Sequence, residues 1–134
     1  MISYQLDTNA LLRFLTNDIP SQRSQVEDLI RKSRLHQVTL HICEPIFIET
    51  AVTLKNYFKY PRDKIVSLLG LLINSPELII ENHQLLVQSL DLYADHPLDF
   101  VDCILYNRAQ THNHRLFTFD SQLQKIHSSL LPSP

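Results

Sequence analysis

The stretch ISYQLDTNALLRFLT, residues 2–16, decides the fold because it joins a short strand to a helix through an acidic residue. The segment from Ile2 to Leu6 is short and apolar, and leucines recur at helical spacing from Leu11 to Leu15. We therefore predict a strand over residues 2–6 and a helix over residues 9–16. Asp7 stands at the junction between these two elements.

The same alternation of β-rich runs and amphipathic segments continues along the chain. We predict further strands over 38–42, 78–80 and 115–119, and further helices over 21–34, 45–57, 61–73, 84–94, 99–111 and 121–126. Such alternation is typical of a parallel sheet that is covered by helices. The sequence therefore predicts an α/β protein, a three-layer α/β/α sandwich with a short central parallel sheet, in a single domain over residues 1–134.

Composition limits the class of protein. A chain of 134 residues, 44% of them hydrophobic, can bury the core of one domain. The longest mostly apolar run, residues 65–73, is shorter than the roughly 20 residues of a membrane-spanning helix, and the N-terminus lacks the features of a signal peptide. We expect a cytoplasmic protein with no membrane association. Cys43 and Cys103 are isolated, which predicts buried thiols and argues against a zinc site.

Charge and glycine content exclude some classes of nucleotide-binding protein but are compatible with a nuclease. The single glycine, Gly70, lies inside a helical run, so the glycine-rich phosphate loops of Rossmann and P-loop proteins are excluded. The net charge of −2 does not by itself indicate a nucleic-acid binder. A nuclease can nevertheless be acidic when its site gathers carboxylates and divalent cations meet the phosphate.

Four acidic side chains lie just after predicted strands or near the starts of predicted helices. Asp7 follows the first strand, Asp120 follows the last, Asp102 lies in the first turn of the helix that begins near Asp99, and Glu49 lies about one turn inside the helix after the second strand. Ligand sites of parallel α/β sheets form beyond the carboxyl ends of the strands. These four carboxylates are therefore candidates for one site.

Each of these acidic residues also has a structural explanation. Asp7 and Asp120 could cap the helices that follow them, and Asp99 with Asp102 resembles a capping box. Glu49 has apolar helical neighbours, and a buried carboxylate needs a partner. A metal ion would supply that partner.

A cluster of carboxylates predicts a particular chemistry. Carboxylates at one sheet edge repel one another unless a cation lies between them. Oxygen ligands favour Mg²⁺ or Mn²⁺ over zinc. Such ions orient a water molecule and stabilise the charge that develops on a cleaved phosphodiester. The pattern therefore favours metal-assisted hydrolysis.

Four motifs in order resemble those of a known family, the PIN-domain ribonucleases, and in particular their VapC-type toxins. The matching residues are Leu6-Asp7-Thr8-Asn9, Glu49 with Leu54, Asp99-Phe100-Val101-Asp102, and Phe117-Thr118-Phe119-Asp120. Each motif alone is weak, whereas the four together, spread along nearly the whole chain, are specific. The resemblance implies a PIN-like fold and an endoribonuclease that cuts RNA with Mg²⁺ or Mn²⁺.

The resemblance also assigns roles to residues. The implied catalytic and metal-binding quartet is Asp7, Glu49, Asp102 and Asp120, with Asp99 as an additional metal or supporting carboxylate. Thr8, Asn9 and Thr118 are implied as polar supports that orient the carboxylates and their waters. Asp102 ranks above Asp99 because the family pattern favours the aspartate that a small residue follows, here Cys103.

Two further positions are assigned by their place in the chain. Glu44 also follows the second strand, but it precedes Pro45 and is predicted to lie outside the helix, so Glu49 is preferred. Arg13 is a candidate phosphate contact because its helix starts at the proposed site. Basic groups at residues 31–34 and 59–64 could meet an RNA backbone, although most such runs are solvated faces.

The resemblance further implies partners. These are an RNA substrate, a cognate antitoxin protein that covers the acidic site, and a second copy of the chain in a homodimer. The apolar stretch Ile65 to Ile73 could form the dimer interface or a plain core helix. The alternatives are a catalytically silent PIN-fold module that binds RNA or protein, and a flap-type DNA nuclease of the same superfamily, for whose extra elements this short chain has little room.

Overall fold

The computed structural model describes residues 1–130 and has the predicted alternation of strands and helices. The elements are β1 (Ile2–Gln5), α1 (Thr8–Thr16), α2 (Pro20–Arg34), β2 (Val38–Ile42), α3 (Glu44–Asn56), α4 (Arg62–Ile73), β3 (Leu78–Ile80), α5 (His83–Asp95), α6 (Phe100–Thr111) and α7 (Ser121–Leu130). Each of them starts within one residue of its predicted start.

The three strands form a parallel sheet in the order β1-β2-β3. Leu40 in the central strand lies opposite Tyr4 on one side and Leu78 on the other. Side chains alternate between the two faces of a strand, and one face of the sheet is buried: Val38, Leu40, Ile42, Leu78 and Ile80. The α/β fold class with a short parallel sheet is therefore confirmed.

The chain divides into two compact units, Met1–His83 and Gln84–Pro134. The first unit contains the sheet and α1 to α4, and its most deeply buried apolar side chains include Leu11, Leu40, Ile42, Phe47, Leu54, Ile65, Leu69 and Leu72. Each such side chain contributes about 1.5–3 kcal/mol when it is fully buried. Four residues of the apolar stretch in α4 are buried in this core, which favours the core-helix interpretation of that stretch.

The second unit contains most of α5 together with α6 and α7. The ring of Tyr93 on α5 meets the ring of Phe100 on α6 edge to face, with centroids 5.7 Å apart. The amide of Asn107 donates to the hydroxyl of Ser89, which is fully buried, at 3.2 Å. An apolar contact and a polar contact therefore join these two helices. The single domain over the whole chain stays a prediction.

The predicted final strand over residues 115–119 is wrong, because the described backbone from 114 to 120 has no regular secondary structure. Phe117 and Phe119, which the β-rich pattern made typical of a strand, are 85% and 89% exposed. Their rings contact each other, with centroids 5.3 Å apart. Residue preference favours extended backbone here, but a strand exists only where a neighbour completes its hydrogen bonds.

The cysteines follow the prediction in part, since Cys103 is buried and Cys43 is half-buried. They form no disulfide with each other. None of the described helices combines the length and the apolar character that a membrane span requires.

An ion pair between Arg34 and Glu77 joins the end of α2 to the turn before β3. The guanidinium Nε of Arg34 lies 2.6 Å from Oε1 of Glu77, and the hydroxyl of Ser75 donates to the other carboxylate oxygen at 2.7 Å. Together, the Arg34 bond first and the Ser75 bond second, these interactions lower the pKa of Glu77 from its ordinary 4.5 to about 2. The side chain of Glu77 is only 12% exposed.

We expect Arg34→Ala to lower the free energy of unfolding at pH 7 by about 1 kcal/mol, because Arg34 is two-thirds exposed and solvent screens part of the pair. A carboxylate with a lowered folded pKa stabilises the protein above its unfolded pKa, and this contribution is lost as the pH falls through the folded value. The difference between wild type and variant should therefore shrink between about pH 4.5 and pH 2. Urea unfolding across this range measures it.

The matched control for this prediction is Arg31→Ala. Arg31 is 67% exposed and pairs with Asp28, which is itself 40% exposed, so its removal should cost little at any pH. An equal loss of stability by Arg34→Ala at pH 7 and at pH 2 would show that Glu77 is not the source of the effect.

Candidate active site

Asp7 lies directly beyond β1 and caps α1. Its Oδ1 accepts a hydrogen bond from the backbone N–H of Ala10 at 2.8 Å, which confirms the capping interpretation. The N–H of Leu6 still donates to His41 of β2 at 2.9 Å, so Asp7 is held at the carboxyl end of the strand. The residue is exposed. A carboxylate has several acceptor positions on two oxygens, so capping is compatible with binding a cation.

Thr8, the neighbour of Asp7, has a buried hydroxyl that lacks a hydrogen-bond partner. The residue is only 7% exposed, and its Oγ1 has no partner within the described residues. A buried polar atom without a partner costs about 1–3 kcal/mol, so such an atom is suited to a hydrogen bond with a ligand or water. The adjacent Asn9 is exposed. Within the first motif, the hydroxyl of Thr8 is therefore the group that can form an additional hydrogen bond.

The prediction that Glu44 lies outside the helix is wrong, because α3 begins at Glu44. Cys43 has extended backbone and occupies the N-cap position, which places Pro45 in the first turn. Proline is tolerated there since no intrahelical N–H bond is lost. The Glu44 carboxylate accepts a hydrogen bond from the side-chain amide of Asn82 at 2.6 Å.

Glu49 lies on α3 but away from its buried face. That face consists of Phe47, Thr50, Ala51 and Leu54. Glu49 itself is exposed, and its neighbour Val52 is 36% exposed. The prediction that Glu49 is buried and needs a metal ion as its partner is therefore wrong. An exposed carboxylate can still meet a cation from solvent.

Glu81, the acidic residue that directly follows β3, was not among the predicted site residues. Its N–H donates to Ile42 of β2 at 2.9 Å, and its Oε1 accepts the N–H of Glu44 at 3.0 Å. Asn82 has left-handed backbone, with φ of 55°, and its amide also reaches Glu44. The rule that singled out Asp7, an acid immediately after a strand, would also have found Glu81.

A shallow cleft of about 150 Å³ lies at this carboxyl edge of the sheet. It is lined by Gln5, His41, Ile42, Cys43, Ile79, Ile80 and Glu81. Acidic residues therefore follow all three strands of the first unit, and one of them lines a cleft.

Asp99 and Asp102 lie at the start of α6 in the second unit. Asp99 occupies the N-cap position with extended backbone, but its side chain makes no capping hydrogen bond. Asp99 therefore does not act as the side-chain cap of α6 that the capping-box interpretation predicted. Asp102 lies in the first turn and is half-buried. Residues three apart share one side of a helix, so both carboxylates lie on the same side of the start of α6.

Asp120 lies at the start of α7 and is fixed by two hydrogen bonds. Its Oδ1 accepts the N–H of Leu123 at 2.8 Å, and its own N–H donates to the hydroxyl of Thr118 at 3.1 Å. The side chain of Gln124 donates to the carbonyl of Thr118 at 2.6 Å. Asp120 therefore caps α7, as its structural interpretation predicted, and Thr118 holds its backbone in place.

Arg13 is engaged in bracing α1 against the start of α2. Its guanidinium donates to Gln22 at 2.9 Å and pairs with Asp18 at 3.3 Å. The side chain is only 20% exposed. A phosphate would have to compete with these two partners, so the phosphate contact of Arg13 stays a prediction.

The donor chemistry of the candidate residues fits a hard divalent cation. All five candidates for metal ligands are carboxylates, which Mg²⁺ and Mn²⁺ prefer. Among the residues that the structure describes, neither unit by itself groups three acidic, histidine or cysteine side chains around one point. Asp7 and Glu49 belong to the first unit, whereas Asp99, Asp102 and Asp120 belong to the second.

Comparison with known proteins gives one match. The family model for the PIN domain matches residues 4–128, a span that contains every candidate site residue. Neither the curated proteins nor the solved structures contain a match to the chain. PIN domains are generally nucleases, which supports a hydrolase that acts on nucleic acid. Because the matched span covers nearly all of its length, the chain belongs to the PIN-domain family.

Proposed function

We propose that the protein is a metal-dependent endoribonuclease and the toxin of a type II toxin-antitoxin system. The observation that carries this proposal is the family match over residues 4–128, within which each of the four motifs retains its carboxylate. A catalytically silent PIN-fold module is the alternative, and the loss of one carboxylate would favour it. All four are present in the sequence.

The proposed metal ligands and catalytic residues are Asp7, Glu49, Asp102 and Asp120, with Asp99 as an additional carboxylate. A bound Mg²⁺ or Mn²⁺ supplies an activated water and neutralises charge on the phosphodiester. The contribution of the chain is to hold the carboxylates in place. Asp7 and Asp120 are held by the caps that they make on α1 and α7, and Thr118 supports Asp120.

Thr8 and Asn9 complete the proposed set of supporting residues around Asp7. The unpartnered hydroxyl of Thr8 is suited to a hydrogen bond with a water or ligand beside that carboxylate. Asn9 is exposed and can meet the substrate side of the site. Both residues act through orientation, not through direct attack on the phosphodiester.

The proposed partners follow from the toxin assignment. They are an RNA substrate, an antitoxin protein that covers the acidic residues, and a second copy of the chain, all in the cytoplasm. The exposed Leu71 on α4, 61% accessible, is the side chain of the stretch 65–73 best suited to a contact between copies.

The test of this function is a cleavage assay with purified protein, a labelled single-stranded RNA and Mn²⁺. We expect internal phosphodiester bonds to be cut. A preparation of Asp7→Asn, purified in parallel, controls for contaminating nuclease. Binding of the RNA with no cleavage by the wild type would favour the silent module.

A further inference from the structure

A cluster of aromatic and basic side chains occupies the junction between α3 and α4, in the first unit. The sequence KNYFKYPRDK, residues 55–64, contains three aromatic residues and four cations against a single acid. Its aromatic members are Tyr57, Phe58 and Tyr60, and its cations are Lys55, Lys59, Arg62 and Lys64. We call this set the aromatic–basic junction.

The three rings of the junction form one continuous surface. The rings of Tyr57 and Phe58 have centroids 5.1 Å apart and are nearly perpendicular, and those of Phe58 and Tyr60 are 5.5 Å apart. Tyr57 is 77% exposed. The ammonium of Lys64 lies 3.8 Å from the centre of the Tyr60 ring, a cation–π contact. The junction therefore exposes the Tyr57 ring, while Phe58 and Tyr60 are half-buried beside it.

Backbone hydrogen bonds fix the junction to the end of α3. The N–H groups of Tyr57 and Phe58 both donate to the carbonyl of Thr53, and the N–H of Tyr60 donates to Leu54 at 3.1 Å. Lys59 between them has left-handed backbone, with φ of 58°, which is uncommon for a residue other than glycine. The turn is thus a defined conformation that holds the rings in place before any ligand arrives.

This combination is suited to single-stranded nucleic acid. Bases of a single strand expose their faces, which stack on aromatic side chains while cations track the phosphates. A duplex hides those faces. A basic run that is only solvated contains charged residues and has no reason to expose aromatic rings. Here Tyr57 is 77% exposed beside the cations. The carboxylate of Asp63 accepts a hydrogen bond from the backbone N–H of Lys64, at 2.9 Å, within the turn.

We propose that the aromatic–basic junction binds single-stranded RNA by stacking on Tyr57 and by phosphate contacts from Lys59. The choice of RNA rests on the proposed ribonuclease function, in which the junction contributes to binding of the strand and not to its cleavage. Substitutions here should raise KM for RNA and leave kcat nearly unchanged.

The first measurement uses Tyr57→Trp in a protein that also carries Asp7→Asn, so that bound RNA stays intact. The chain has no tryptophan of its own, so the introduced indole is the sole source of tryptophan emission. A single-stranded RNA of about a dozen nucleotides should quench this emission by stacking on the ring. Duplex RNA of the same length should quench it far less. Absence of quenching at concentrations where the RNA is bound would overturn the proposal.

The second measurement compares affinities of single-stranded RNA for junction variants in the Asp7→Asn protein. Tyr57→Leu should weaken binding at least about fivefold, whereas Tyr57→Phe, which keeps the stacking face, should bind nearly as wild type. Lys59→Asn removes the cation with a residue that tolerates left-handed backbone. It should weaken binding and reduce the slope of log affinity against log salt by about 0.7.

The matched control is Lys32→Asn on α2, which removes the same charge from an exposed lysine. The cations of this basic group at residues 31–34 are engaged in ion pairs with Asp28 and Glu77, which disfavours its role in RNA binding. The affinity of Lys32→Asn for RNA should stay within about twofold of the Asp7→Asn parent. Equal weakening by Lys32→Asn and Lys59→Asn would overturn the proposal, because it would indicate a general effect of charge. So would equal binding by Tyr57→Leu and Tyr57→Phe.

These measurements separate the junction from the proposed catalysis because none of them requires cleavage. Normal RNA binding by the junction variants, with active cleavage by the wild type, would overturn the proposed role of the junction and leave the proposed ribonuclease function standing. Lost binding by the variants, with no cleavage by the wild type, would support the junction and contradict the ribonuclease.

Discussion

Asp7→Asn should reduce the rate of RNA cleavage by at least about 100-fold while the fold stays intact. The side-chain oxygen of asparagine can keep the 2.8 Å bond to the N–H of Ala10, and asparagine caps helices as well as aspartate does. The neutral amide is a weak ligand for Mg²⁺ or Mn²⁺. Loss of groups that merely support a metal ligand costs about 10–100-fold, so loss of a ligand itself should cost more.

Comparison with Asp7→Ala separates the two roles of this residue. Alanine removes the cap as well as the carboxylate, so it should also lower the free energy of unfolding by about 1 kcal/mol. Single-turnover cleavage and urea unfolding of both variants measure the two effects. Full activity in Asp7→Asn would show that Asp7 only caps α1.

Glu49→Gln should lose most of the cleavage activity, whereas Glu44→Gln should keep most of it. Glu44 has a structural task at the carboxyl edge of the sheet, where its carboxylate accepts a bond from Asn82 at 2.6 Å. Glutamine can accept the same bond through its carbonyl oxygen. Glu49 lies off the buried face of α3, so its carboxylate adds nothing to the core and is available for chemistry.

The two glutamine substitutions remove one negative charge each and keep side-chain length, so each controls for the other. Single-turnover rates at saturating Mn²⁺ measure their effects. The reverse ranking, with Glu44→Gln inactive and Glu49→Gln active, would show that Glu44 carries the second motif. It would also point to Glu81, which binds the N–H of Glu44, as a further member of the site.

The elements of the fold were predictable where the pattern is local. Strand β2 has β-branched residues and α1 has leucines at helical spacing, so both signals lie within a few residues. The segment 115–119 shows that local signals are not sufficient to predict a strand. Its residues favour extended backbone, but pairing with another strand depends on parts of the chain far away in sequence, and Phe117 is 85% exposed.

The helix-capping roles of two candidate residues were predictable, whereas the strand-end position of Asp120 and the environment of Glu49 were not. The capping roles of Asp7 and Asp120 follow from their places before helices, and the structure confirms both. The predicted burial of Glu49 was wrong because α3 has apolar residues on more than one side. The core takes the face with Phe47 and Leu54, which leaves Glu49 exposed, and only packing reveals that choice.

The most direct test of the central claim, that acidic residues use a divalent metal ion to cleave RNA, is a metal titration of cleavage by the wild type. Protein freed of metal by excess chelator should leave RNA intact, and added Mn²⁺ or Mg²⁺ should restore cleavage. The same ions should raise the melting temperature with concentration, because a ligand of the folded state stabilises it. Undiminished cleavage in excess chelator, by a preparation whose Asp7→Asn counterpart is inactive, would contradict the claim.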